Sequence, residues 1–156
     1  MRSTVPLAAL ALAAALAGPV PALAAEGSAP QPRLQAPGDE KPRPTDESLR
    51  DAMATLRETV AARLAGAAAE PLDEAGYVAL ATEIERQLSA LAAGRDFHSK
   101  AGRHLQWMLG DIGDGAGLMR SAPRVPGKRL GLMRVVETLN YYGREYDHPG
   151  WEPLKP

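Results

Sequence analysis

The stretch from Leu130 to Trp151, LGLMRVVETLNYYGREYDHPGW, constrains the fold most, because it joins an amphipathic helix to an ending that no helix can include. Leu132, Val136, Leu139 and Tyr146 fall on one stripe at helical spacing, with Met133 and Tyr142 beside it. Pro149 has no amide hydrogen and pushes His148 out of the α region, and Gly150 permits a turn. Trp151 is then expected to fold back onto the helices as an anchor. Three of the four tyrosines lie in this stretch, so the aromatic mass is gathered in one place.

Three earlier stripes supply partners for that helix. Leu49, Met53, Leu56, Val60 and Leu64 recur at steps of three and four, behind a cap at Thr45 or Asp46 and ahead of a stop at Gly66. A second helix opens at Pro71-Leu72-Asp73-Glu74, carries Tyr77, Leu80, Ile84, Leu88 and Leu91 on one face, and ends at Gly94. A third starts around Asp96, with Phe97, Ala101, His104 or Leu105, Met108, Ile112 and Met119 as its apolar face. Gly102, Gly110, Gly113, Gly115 and Gly117 weaken it, and point either to close helix approach or to a frayed second half. Pro123 and Pro126 bracket the next connection, and the fourth helix is expected from Gly127 to Tyr146. No segment alternates with period two. Four helices of about 30 Å with short connections give an all-α, antiparallel up-down-up-down four-helix bundle over residues 45–156.

What precedes the bundle reads as an address. Arg2 provides a minimal basic region, and Val5 to Ala17 is an apolar run of 13 residues. That is short of the ~20 needed to span a membrane. Gly18, Pro19 and Pro21 break the run, and Ala22-Leu23-Ala24 suits cleavage, so residues 1–24 read as a signal peptide. No cysteine follows, which removes a lipoprotein anchor, so no stable membrane anchor is expected after cleavage and the location is periplasmic or secreted. Residues 25–44 hold Pro30, Pro32, Pro37, Pro42 and Pro44 with only Leu34 as a large apolar side chain, and read as a disordered linker.

Composition then prunes the functions. The absence of cysteine excludes thiol catalysis, thiolate metal sites and covalent haem attachment. With Arg2 removed, 17 basic residues face 19 acidic ones, a balance that argues against nucleic acid as a partner. There is no phosphate loop, no His-Glu-x-x-His, and no serine in a Gly-x-Ser-x-Gly setting. Glu145 and His148 form one Glu-x-x-His, whereas a di-iron bundle needs the pair on two helices.

His104 and Met108 are four residues apart, and so share the apolar face of the third helix. Imidazole and thioether donors suit copper or a haem iron, with Met53 as a further sulfur and Asp111 placed to orient the imidazole. The competing reading is that Met108, like Met53, Met119 and Met133, is core filling, and that His104 is a boundary side chain. His98 is six residues before His104 and points elsewhere. Asp147, His148 and Tyr146 make either a polar surface site or plain turn chemistry.

Two resemblances follow from longer patterns. Asp46 to Leu64, DESLRDAMATLRETVAARL, resembles the opening helix of the periplasmic four-helix b-type cytochromes, with Met53 at that family's axial methionine. The family's second ligand is a histidine near the end of the last helix, where this chain has Gly143, so the likeness implies the bundle and not the haem. Thr45, Asp46, Leu49, Arg50 and Met53, paired with Leu139, Asn140, Tyr142, Gly143, Asp147, His148, Pro149, Gly150 and Trp151, resemble small secreted bacterial helical proteins of a DnrO-like kind. That likeness spans most of the mature chain and implies a fold and a location without an activity.

The sequence therefore points to a non-enzymatic periplasmic bundle binding a small ligand or a metal, copper at His104, Met108 and Met53 being the sharpest form. The rival is a bundle for protein interaction or envelope stress, with no prosthetic group, whose partner docks on an exposed patch of Tyr141, Tyr146, His148 and Trp151. A third form is a b-type haem bundle.

Overall fold

The computed structural model describes residues 41–67 and 70–155. The leader read at 1–24 and most of the linker read at 25–44 lie outside the described residues. Four helices follow one another: α1 (Glu47–Ala67), α2 (Glu74–Ala92), α3 (Lys100–Ser121) and α4 (Val125–Glu145). None of them is long and apolar enough to cross a membrane.

Each start has a local cause. The Asp46 carboxylate accepts the Leu49 amide of α1 at 2.6 Å, and Asp73 accepts that of Gly76 in α2 at 2.7 Å. Asp96 was expected to open α3, but its carboxylate accepts the amide of His98 at 2.8 Å and folds a turn instead. Ser99 is the cap, accepting Gly102 at 2.9 Å, so Phe97 precedes the helix. At α4 the boundary shifts the other way. Pro126 lies in the first turn, where a missing amide costs nothing, and the helix starts at Val125 rather than Gly127.

Pairings across the seams give the handedness of travel. Along α3 and α4, His104 meets Tyr141 and Tyr146, Asp111 meets Arg134 and Thr138, and Gly115 meets Gly131. One sequence number rises as the other falls, so the helices are antiparallel. Thr59 with Gln87 and Asp46 with Arg95 set α1 against α2 in the same sense, as Glu85 with Arg120 and Leu88 with Gly113 do for α2 and α3. The bundle is the expected all-α one.

Of the α3 glycines Gly115 serves close approach to α4 and Gly102 packs on the preceding turn, whereas Gly110 and Gly117 face open space, and the helix runs unfrayed to Ser121. A Cβ on Gly131 would lie 2.5 Å from the Gly115 carbonyl oxygen and 2.8 Å from the Met119 amide nitrogen. Backbone thus meets backbone at this crossing, where any side chain would push the helices apart. The buried Lys128 ammonium closes the end of α3, donating to the carbonyls of Met119 at 3.0 Å and Arg120 at 3.1 Å. There it also meets the negative pole of that helix.

The seam between α1 and α4 is filled differently. After Tyr146 the chain turns at Gly150, whose φ of +81° suits a residue without Cβ, and runs back along α4. Asn140 holds this tail through its amide, accepting the Leu154 N–H at 2.7 Å and donating to the Leu154 carbonyl at 2.9 Å. From the α1 side Arg57 donates to the Glu152 carbonyl at 2.5 Å. The tail is therefore a fifth packing element, with Leu154 buried in the core.

The proline-rich linker ends earlier than position 44. Arg43 forms a parallel bridge beside Tyr146, donating to the Glu145 carbonyl and accepting the Asp147 amide, both at 2.8 Å. Paired backbone needs no apolar side chain to hold it, which is why composition misjudged these last residues.

Candidate functional site

The end of the bundle formed by the starts of α1 and α3 and the finish of α4 is closed by rings. His104 on α3 sits 5.8–6.0 Å from the rings of Trp107, Tyr141 and Tyr146. Its Nδ1 lies 2.9 Å from the Tyr146 hydroxyl and its Nε2 3.2 Å from that of Tyr141. A neutral imidazole has one donor and one acceptor nitrogen, so one phenol donates to it and the other accepts. Tyr146 stacks on Tyr142 at 4.9 Å, and Tyr142 carries the contact on to Trp151 at 4.8 Å and His148 at 5.7 Å. The Tyr142 hydroxyl is 3.0 Å from Nδ1 of His148.

Burial tunes these groups in a consistent sense. It pushes the phenols of Tyr142 and Tyr146 above their ordinary range. It pulls the His148 imidazole below its ordinary value, with the nearby Arg50 charge acting the same way. The end is built for neutral, hydrogen-bonded rings.

The residues named for copper fall in three different roles. Met53 and Met108 are fully buried core side chains, on α1 and α3. His104 is at the boundary, with both nitrogens engaged. Asp111 does not reach it as an orienting group. It accepts from Arg134 Nε at 2.9 Å and from the Thr138 hydroxyl, and although burial opposes ionisation, these bonds hold its carboxyl below the usual range. Among the described residues no group of three His, Asp or Glu side chains converges as metal ligands would.

The exposed aromatic patch expected on the tail does not form. Tyr146 is buried, Tyr141 is half-buried with the Arg144 guanidinium 5.8 Å from its ring centre, and Trp151 faces inward. A Cβ on Gly143 would stand 2.1 Å from the Trp151 ring, so the indole lies directly on the helix backbone. Arg57 covers its other side at 5.9 Å. The Trp151 ring also takes the space beside Gly143, where the cytochrome likeness would look for a histidine. The ring left outside is Trp107, 60% exposed, which sequence reasoning did not single out. Its position three after His104 puts it just off the apolar stripe, and that spacing was the available signal.

The opposite end is hollow. A cavity of about 820 Å³ lies between the last turns of α1, the entry to α2, the first turns of α4 and the end of the tail. Leu64, Leu72, Tyr77, Leu132, Met133 and Leu154 supply its apolar walls. Arg57, Arg129, Lys155 and Glu152 stand among its lining groups. Sequence reasoning took its helical apolar residues as filled core, because periodicity says which way a side chain faces and not whether the space is occupied. A smaller hollow of about 440 Å³ lies between α1 and α2 beside the Asp46–Arg95 ion pair, bounded by Arg86 and Gln87 as well as by Ala52, Ala90 and Leu91. Comparison with known proteins adds no relative: no family model, no curated protein and no solved structure matches this chain.

Proposed function

We propose that the chain is a non-enzymatic, exported binding bundle that takes the apolar part of a small ligand into the hollow end. One observation supports this reading above the others, the 820 Å³ cavity walled by aliphatic side chains from three helices and the tail. Sites for small molecules fall at ~300–1,000 Å³, are mostly apolar and sit between the helices of bundles. Copper at His104 and Met108 makes a demand that the cavity does not, since a metal would first have to break one of the two tyrosine bonds to the imidazole. Docking through the tail would in turn require Trp151 to leave Gly143.

The test is the binding of a neutral environment-sensitive dye, N-phenyl-1-naphthylamine. The expected result is saturable binding at one site, weakened when Ala61→Phe and Ala65→Phe together crowd the cavity while helix content by circular dichroism stays unchanged. Dye affinity unchanged in that double variant would remove the reading.

A further inference from the structure

The cavity has a sign as well as a size. Three cationic side chains, Arg57, Arg129 and Lys155, stand among its lining groups against one carboxylate, Glu152. That carboxylate is already answered by Arg57, at 3.4 Å. The first turn of α4, which brings Val125 into the lining, holds no acidic side chain. Arg129 and Lys155 are thus left facing solvent above an aliphatic chamber, with no carboxylate among the lining groups to neutralise them.

From this juxtaposition we infer that the ligand is a single-chain amphiphile with an anionic head, its aliphatic chain among Leu64, Leu72, Leu132, Met133 and Leu154 and its head at Arg129 and Lys155. The inference rests on the small-ligand reading of the cavity and adds the chemical class. Two physical effects divide the work. The chain supplies affinity without direction, about fourfold for each methylene buried. The head supplies choice of sign. An exposed ion pair is worth little alone, and two cations acting together favour an anion over an uncharged head by about tenfold. A cationic head is repelled by the same pair.

The test displaces the dye from the purified protein with dodecanoate, dodecanol and dodecylamine, each below its aggregation limit, at low salt. Dodecanoate is expected to bind about tenfold more tightly than dodecanol, and dodecylamine more weakly than either. The tenfold margin should disappear in Arg129→Ala combined with Lys155→Ala, and shrink at high salt, with dodecanol unaffected. Both residues are at the surface, and Arg129→Gln with Lys155→Gln serves as a second variant that removes the charges while keeping polar side chains with part of the stem. Equal binding of the acid and the alcohol would overturn the anionic head while leaving the small-ligand reading intact. Failure of all three to displace the dye would overturn both. A stable dimer that dodecanoate cannot dissociate, seen by sedimentation, would assign the groove to a second copy of the chain and overturn the inference.

Discussion

The two ends of this bundle are made from the same four helices and solve opposite problems. At the ring end, space is filled until glycine is the only residue that fits, since Trp151 rests on the Gly143 backbone and Tyr142 is wholly buried beneath it. At the aliphatic end, leucines, a methionine and a tyrosine surround about 820 Å³ that no side chain of the described residues occupies. Rings are large and rigid, and the hydroxyls of Tyr141, Tyr142 and Tyr146 find partners in the imidazoles of His104 and His148, so few rings close the end, although the buried Trp151 Nε1 is left without a partner. Aliphatic side chains that stop short of one another leave a hollow whose walls have lost contact partners on one side. Strength belongs to the first end and room to the second.

The largest test of this contrast is Tyr142→Ala, which deletes the central ring of the closed end. A loss of about 3–5 kcal/mol in unfolding free energy is expected, measured by denaturant titration. A cost below about 1 kcal/mol would mean that the ring end does not carry the stability. Next comes Gly143→Ala, where the new Cβ must drive the indole away. We expect a loss of about 1–3 kcal/mol and, in a Trp107→Phe background, a red shift of the remaining tryptophan emission as the tail lifts. An unshifted spectrum would show that the tail is held by Asn140 and Arg57 without its anchor.

A smaller effect follows from acidification. The His148 pKa is depressed in the fold, so the unfolded chain binds the proton more readily and stability falls as pH drops below about 6.5. Arg50 faces the ring with the same sign as the imidazolium, and Asp51 partly opposes it. The expected result is a melting temperature that declines gently below that pH and a decline that weakens in His148→Asn. The carboxyls of Asp46, held down by the Leu49 amide and Arg95, and of Asp111 would act only at lower pH, below about 4. The smallest change in stability belongs to the hollow end. Ala61→Phe with Ala65→Phe should alter it by less than about 1 kcal/mol, because the new rings enter open space, whereas dye binding is weakened. A large loss of stability there would indicate that the space is already filled.

Much of the fold was legible in the sequence because it depends on local chemistry. The stripes of α1 and α2 point inward as spacing required, with Leu49, Met53, Leu56 and Val60 on one helix and Tyr77, Leu80, Ile84 and Leu91 on the other. The inward turn of Trp151 was readable from Pro149 and Gly150. What misled the reading was competition between equally good local signals. Asp96 and Ser99 both suit a helix start, and the choice went to Ser99 because Asp96 could fold its own turn. His104 and Met108 share a face, but one lies at the edge among phenols and the other in the core.

By itself the sequence determined four helices, their apolar faces, their order and the reversal after α4, since each follows from spacing, caps and breakers acting within a few residues. Only the tertiary structure decided that Gly115 and Gly131 touch, that Arg43 pairs with the end of α4, that His104 is held by two tyrosines, and that the described residues leave a hollow at one end of the bundle. Those facts join residues far apart in the chain. The volume between helices depends on how their axes diverge and on every side chain that meets there, and no local pattern records that sum.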